Sequence, residues 1–221
     1  MEIGSLSVRP KAVVWDFNGT LLDDLQVAYG SVQEKFRTYD IVCPTLEQYR
    51  EEITANFMEF YYQHGFLRST TAAELNAIRK KYYAENGNKV NLREGVLGTL
   101  NWLNAHRFLA GIVSAEVSTT LHSVLVQNRV QRKFDFIKPE AWGSKKEALL
   151  QTAEIFDVEP SEMIYIDDSV DGLATAKETG VVPVAFFNST SYNSKKRLLE
   201  VTDVGIENVY EITYLLAQLE G

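Results

Sequence analysis

The stretch Lys11-Ala12-Val13-Val14-Trp15-Asp16-Phe17-Asn18-Gly19-Thr20-Leu21-Leu22-Asp23-Asp24 decides how the rest of the 221-residue chain is read. Ala12 to Trp15 is an unbroken apolar, β-branched run, the pattern of a strand buried on both faces of a sheet. The run stops at a carboxylate and turns at once through Gly19-Thr20, so Asp16 is expected at the carboxyl end of a strand. In open α/β sheets ligands bind at that edge, because the turns leaving the strands present backbone N–H groups and side chains around one crevice. Taken alone, Asp-x-Asn-Gly-Thr reads better as a structural aspartate capping a turn. Distant partners have to decide.

Outward from this strand, Leu25, Ala28, Tyr29, Val32 and Phe36 carry the i, i+3, i+4 spacing of an amphipathic helix that runs to about Tyr39 and is broken by Cys43-Pro44. Thr45 is positioned to cap a second helix with Leu46, Tyr49, Ile53, Phe57 and Phe60 on one side, stopped by Tyr61-Tyr62-Gln63-His64-Gly65. A third helix is expected from about Thr71 to Tyr83, ending before Asn86-Gly87-Asn88. Residues 24–90 therefore read as an all-helical cap domain, inserted between 1–23 and 91–221, with linkers around Leu22–Leu25 and Val90–Glu94.

Strand and helix then alternate, the pattern of a parallel sheet with helices on its faces. Helices are expected over Val96–Ala105, Thr119–Asn128, Lys145–Phe156, Val170–Thr179 and Ile212–Leu219, with Gly180 ending the fourth. Strands are expected over Phe108–Val113, Phe134–Ile137, Met163–Ile166 and Val181–Phe187, and Asn188–Lys196 reads as a loop. The fold class is α/β, a Rossmann-like parallel sheet with helices on both faces, plus the small helical cap.

Composition narrows the function. A net charge of -8 argues against nucleic acid as a partner, since phosphate-backbone binding relies on clustered Lys and Arg. The single cysteine, Cys43, excludes an intramolecular disulfide and suits a reducing compartment. Met1 to Pro10 has no signal-type apolar core, and no stretch is long enough to span a bilayer. A cytoplasmic protein without membrane partners is the expectation, and the sequence does not speak to oligomeric state.

Asp16, Ser114 and the pair Asp167-Asp168 each follow an apolar run, and in a parallel sheet these three strand ends open on one edge. Ser114 alone reads as a loop serine or helix cap, and Asp167, Asp168 and Asp171 as a solvated acidic loop. Facing one another across an edge, however, like charges repel and call for a cation. Mg²⁺ suits such oxygen donors. Lys145 opens a helix, where the dipole disfavours a cation, so a role other than helix stability is plausible; with Lys138 and Lys146 nearby, the choice between Lys145 and Lys146 stays open.

Asp16-Phe17-Asn18-Gly19-Thr20-Leu21, Val113-Ser114, Lys145-Lys146-Glu147-Ala148-Leu149 and Ile166-Asp167-Asp168-Ser169-Val170-Asp171 are similar to motifs I to IV of the haloacid dehalogenase-like hydrolase superfamily, in order and at compatible spacing over about residues 11–190. The chain resembles the phosphoglycolate-phosphatase-like branch, whose helical cap lies between motifs I and II. The resemblance implies a Mg²⁺-dependent phosphatase acting on a small phosphorylated substrate. Asp16 would be the nucleophile that forms an aspartyl-phosphate. The metal would be held by the Asp16 carboxylate, the backbone carbonyl of Asn18 and Asp168, with Asp167 or Asp171 bound directly or through water. Ser114, Lys145 and the backbone N–H groups of Gly19 and Thr20 would bind the phosphoryl group.

Asn18 departs from that pattern, because most phosphatases of the superfamily carry an acid–base aspartate there. An amide hydrogen-bonds but transfers no proton at neutral pH. Three readings stay open: a slow phosphatase or one using another base such as Asp23, Asp24 or Asp167; carbon–phosphorus or carbon–halogen cleavage on the same scaffold; or a phosphate-ligand-binding or regulatory protein. Against carbon–phosphorus cleavage, Lys35, Lys80 and Lys81 read as surface residues of cap helices. Arg50 is the candidate for an anionic part of the substrate, the alternative being an ion pair with Glu47 or Glu51. His64, His106 and His122 read as helix-end or surface residues.

Overall fold

The computed structural model describes residues 9–87 and 90–219, so Met1–Val8 of the amino-terminal segment and Asn88 of the helix-ending triplet lie outside the described residues. Ala12–Trp15 forms β1, with every residue fully buried, near the middle of a six-stranded sheet. A two-residue ribbon pairs β2 (Leu22–Asp23) with β3 (Asn91–Leu92), antiparallel, at the positions read as linkers. The remaining strands are β4 (Leu109–Val113), β5 (Phe136–Lys138), β6 (Met163–Asp167), β7 (Val182–Phe186) and β8 (Gly205–Ile206). Their order is β5-β4-β1-β6-β7-β8, and every pairing is parallel.

Register places the chemistry. Trp15 lies opposite Ile112 on one side and Ile166 on the other, so the chain leaves all three strands at one level. Alternation along β1 then divides the core in two. Val13 and Trp15 pack with Leu100, Leu103, Leu121, Leu125 and Ile212 on one face, while Ala12 and Val14 pack with Leu149, Ala153 and Ala176 on the other. The helices that supply these residues are α5 (Val96–Ala105), α6 (Ser118–Gln127), α7 (Lys145–Phe156), α8 (Val170–Thr179) and α10 (Glu211–Ala217). Gly180 ends α8 with φ +80°, a conformation in which glycine avoids a Cβ clash.

Between β2 and β3 lie α1 (Leu25–Thr38), α2 (Leu46–Glu52), α3 (Phe57–Gln63) and α4 (Ala72–Asn86), which enclose an apolar cluster of their own. Thr45 and Thr71 each close a capping box, with Gln48 and Glu74. The single helix expected after Thr45 is two. Ile53 turns extended (φ -65°, ψ 138°), which frees its carbonyl to accept from Asn193 Nδ2 at 3.2 Å and Arg197 Nη1 at 3.0 Å. Ala55 N–H donates to Asp171 Oδ2 at 2.6 Å. Bonds to the sheet unit thus replace the helix ladder over 53–56.

Two further expectations are corrected. β5 starts at Phe136 rather than Phe134, because Asp135 is tied to Ala110 through both its backbone N–H and its carboxylate just before the ladder begins. The Asn188–Lys196 loop gives way to α9 (Lys195–Leu198), capped by Ser194, and the short edge strand β8 follows it. A two-residue strand carries too little pattern to be read from sequence.

Phe36, fully buried on α1, sits at the centre of the helical cluster, with ring centroids 4.9 Å from Phe66, 5.7 Å from Tyr61 and 6.2 Å from Phe60. Phe36→Ala is expected to cost about 3–5 kcal/mol, read from urea denaturation. A loss below about 1 kcal/mol would mean that the cluster does not unfold with the rest of the chain.

Candidate active site

Asp16 follows β1 directly, Ser114 follows β4, Asp167 ends β6 and Asp168 follows it, so the register that buries Trp15 brings the four side chains to one edge. All four are buried. The carboxylates of Asp16, Asp167 and Asp168 offer oxygens within 4.8 Å of one another. Lys145, the first residue of α7, places Nζ 3.1 Å from Asp16 Oδ1 and 2.9 Å from Asp167 Oδ2. Lys146 turns outward toward Glu178, so Lys145 is the lysine that reaches the buried carboxylates. Sequence position alone left that choice open because adjacent residues on a helix start differ only in direction.

Backbone geometry fixes these groups. Gly19, at φ +75°, passes so close to Asp168 that a Cβ would lie 2.2 Å from its Oδ2. A Cβ on Gly172 would lie 1.8 Å from Asp167 Oδ2. Asp168 accepts from Thr20 Oγ1 at 3.1 Å and from the Tyr192 backbone N–H. Asp167 accepts from the N–H and hydroxyl of Ser169. Arg93, beside β3, braces the turn from behind, donating to the carbonyls of Gly19 and Thr20. Ser114 Oγ accepts from Glu116 N–H at 3.2 Å.

Three buried carboxylates face one lysine. Burial raises Asp16 to about 7, Lys145 opposes the rise, and Asp167 adds to it. Burial also raises Asp168, followed by repulsion from Asp167. For Lys145 burial works against the charged form, but the attraction of Asp16 and Asp167 outweighs it and the pKa rises. The cluster is short of positive charge and rich in hard oxygen donors. Its chemistry fits a divalent cation.

Asn18 is held by two buried carboxylates, of which the sequence pointed only to Asp24. Its Nδ2 donates to Asp24 Oδ2 and to Glu116 Oε2, both at 2.9 Å. Both amide hydrogens are thereby spent on carboxylates. Asp24 is fully buried and also accepts from Gly19 N–H at 2.9 Å and Tyr192 Oη at 3.1 Å. Burial raises its pKa, and the Asn18 and Tyr192 bonds hold it back. Tyr165, fully buried on β6, places Oη 3.0 Å from Val113 O and 3.3 Å from Asp16 Oδ1. Of these residues only Asp24 gave a signal, as a carboxylate next to the turn; Glu116 and Tyr165 reach the site solely through strand register.

Three sequence expectations change. Asp171 stands outside the carboxylate cluster, its side chain taken by Ala55 N–H. Arg50 pairs with neither Glu47 nor Glu51; it donates to the carbonyl of Asn188 at 2.8 Å and reaches Ser191, joining the helical segment to the loop after β7. Lys35 is 5% exposed rather than a surface lysine, whereas Lys80 and Lys81 are exposed. Asp23 lies outward, 3.3 Å from Arg93, and Asp167 is engaged by Lys145.

A family model described as haloacid dehalogenase-like hydrolase matches residues 13–186. YhcW of Bacillus subtilis (strain 168), provisionally named a phosphatase, is 27% identical over 178 residues, covering 77% of this chain and 80% of that protein. The structure of a predicted phosphoglycolate phosphatase from Haemophilus somnus 129PT superposes with a TM-score of 0.72 at 14% identity, covering 95% of this chain and 99% of that one. An aspartate-to-asparagine variant of CbbY from Rhodobacter sphaeroides, in complex with xylulose-1,5-bisphosphate, superposes with a TM-score of 0.70 at 15% identity, covering 91% and 96%. At these identities the structural likeness is one of fold.

Lys145→Met removes the one cation among the described residues that touches Asp16 and Asp167, and is expected to destabilise the metal-free protein by about 3–5 kcal/mol in denaturant titrations. Asn18→Asp replaces two N–H donors by a third carboxylate against Asp24 and Glu116. Loss of the Asn18 donor and the added like charge raise the folded-state pKa of Asp24 further and raise that of the new carboxylate, so the variant keeps its stability below the unfolded carboxylate value of about 4 and loses it as pH climbs through the raised values. The stability gap to the native protein is expected to widen from pH 4 to pH 8; a constant gap would mean that the trio does not share charge.

Proposed function

The chain belongs to the haloacid dehalogenase-like hydrolase family, and on that premise we propose that it is a Mg²⁺-dependent phosphatase of small phosphorylated metabolites, working through an aspartyl-phosphate at Asp16. One observation carries the reading: Asp16, Asp167 and Asp168 converge at the carboxyl edge of a parallel sheet with Lys145 between two of them. Relatives named as phosphatases support it. Residues 24–90 act in this reading as a cap over the edge, with Arg50 as one of its attachments.

Lys145 and Tyr165 hold Asp16 Oδ1, which fixes the carboxylate plane while Oδ2 makes no hydrogen bond among the described residues. Asp16 attacks phosphorus, an oxygen–phosphorus bond forms, and the bond to the leaving oxygen breaks. Ser114, Lys145 and the N–H groups around Gly19 and Thr20 hold the phosphoryl oxygens. Water then attacks phosphorus, releasing inorganic phosphate and restoring Asp16. Mg²⁺ would be held by Asp16, Asp168 and the Asn18 carbonyl, with Asp167 direct or through water, and would supply charge neutralisation to the phosphoryl group. Asp171, bonded to the 53–56 segment, is not assigned to it.

Asn18 supplies no proton to the leaving oxygen. General acid–base help is worth about 10²–10⁴-fold, so the deficit falls on poor leaving groups. Phosphate release is therefore expected from acetyl phosphate and p-nitrophenyl phosphate with Mg²⁺, to be lost in EDTA or in Asp16→Asn, and to be about 10²-fold or more slower with simple alkyl phosphates. Equal rates across leaving groups would show that another residue carries the proton. No release from any ester, with or without Mg²⁺, would sink the phosphatase reading.

A further inference from the structure

Trp142 is the tryptophan that the fold leaves in the open. Trp15 is fully buried and Trp102 is stacked on His106 at 3.9 Å, whereas Trp142 is 61% exposed. Among the described residues its one ring contact is Phe57 of α3, at 5.8 Å with the planes 66° apart, and its indole N–H makes no hydrogen bond. A lone exposed aromatic is ordinary on a protein surface, so exposure by itself carries little weight.

The backbone beneath the ring is held against strain. Glu140 stands at φ +58° and Gly143 at φ +69°, and a non-glycine residue keeps such a left-handed conformation only where its surroundings impose it. Here they belong to the active-site edge. Glu140 N–H donates to the Glu116 carbonyl at 3.0 Å, Ala141 N–H donates to the Ser114 carbonyl at 2.9 Å, and Glu140 Oε1 accepts from Ser118 N–H at 3.2 Å. Three residues after Trp142, Lys145 reaches Asp16 and Asp167. The indole is thus tied by short lengths of backbone to Ser114 on one side and to Lys145 on the other. Phe57 is fixed in turn, because it follows the 53–56 break that Asn193, Arg197 and Asp171 impose. Two aromatic rings, one from each unit, therefore meet beside the edge that holds Asp16.

Asn18 sets an independent condition on the same substrate. Both its amide hydrogens are given to Asp24 and Glu116, so the leaving oxygen must depart as an anion. A phenol ionises with a pKa of about 10, far below that of an aliphatic alcohol.

We propose that Trp142 and Phe57 form a wall that receives the leaving group, and that the substrate is the phosphate monoester of a planar aromatic alcohol. The bond from phosphorus to the aryl oxygen breaks with its electron pair on oxygen, the phosphoryl group passes to Asp16, and the released phenolate takes its proton from water. The aromatic ring does two things: it packs on the wall, and it spreads the charge that Asn18 does not neutralise. The proposal rests on the reading that Asp16 receives the phosphoryl group, and adds the substrate class to it.

Calorimetry with Mg²⁺ present compares benzylphosphonate with cyclohexylmethylphosphonate, which match in charge and length and differ in the ring. The native protein is expected to bind the benzyl compound at least about threefold more tightly, the lower end of what one aromatic pair contributes. Trp142→Ala should abolish that preference and Trp142→Phe should keep it. In turnover, the ratio of kcat/KM for phenyl phosphate to that for acetyl phosphate is expected to fall about three- to tenfold in Trp142→Ala and to recover in Trp142→Phe. Circular dichroism checks folding, and if Trp142→Ala does not fold, the native preference and its loss in Phe57→Leu decide. Equal binding of the two phosphonates by the native protein, or a preference that survives Trp142→Ala, overturns the wall. A benzyl preference without phosphate release from any ester removes the phosphatase reading and keeps the wall; release from acetyl phosphate without the preference does the reverse.

Discussion

The repulsion among Asp16, Asp167 and Asp168 is the constraint around which the sheet edge is built. Three carboxylates buried within 4.8 Å of one another are tolerated only because each is given donors: Lys145 and Tyr165 to Asp16, Lys145 and Ser169 to Asp167, Thr20 and the Tyr192 N–H to Asp168. Backbone has to come close to deliver some of them. Gly19 and Gly172 are glycines because a Cβ at either position would collide with Asp168 or Asp167. Lys145 sits at a helix start, where the dipole is unfavourable, because its two ion pairs outweigh that modest cost.

A second carboxylate pair is managed next to the first. Asp24 and Glu116 are both buried, and the hydrogens of the Asn18 amide lie between them. The amide serves here as a neutral double donor, a role that an ionised aspartate cannot fill. The departure from the family's usual acid–base aspartate is therefore matched by its surroundings: residue 18, Asp24 and Glu116 form one hydrogen-bonded unit. Arg79, 3.6 Å from Glu116, extends the unit into the helical segment.

That segment is fastened to the sheet unit largely by polar bonds. Arg50 donates to the Asn188 carbonyl and accepts at its own carbonyl from Asn193 Nδ2, Arg197 donates to the Ile53 carbonyl, and Asp171 accepts from the Ala55 N–H. Trp142, before α7, adds an edge-to-face contact with Phe57. Polar bonds of this kind can be traded for water at small net cost. The helical unit has its own apolar cluster, against which Tyr192 of the loop after β7 also packs.

Sequence by itself determined the parallel α/β architecture and the residues at its carboxyl edge. The apolar runs that end at Asp16, Ser114 and Asp167 differ in period from the helices between them, and a strand buried on both faces announces itself without reference to its partners. The helical content of 25–86 was legible for the same reason, except at 53–56, where local periodicity continues and the helix does not. What breaks it is Asn193, Arg197 and Asp171, more than a hundred residues away. Only the tertiary structure decided that Asp171 leaves the carboxylate cluster, that Arg50 joins two units, that Lys35 is buried and that Glu116 faces Asn18. Each of these depends on the direction of one side chain toward a distant partner, and periodicity records which face a residue occupies but not what waits there.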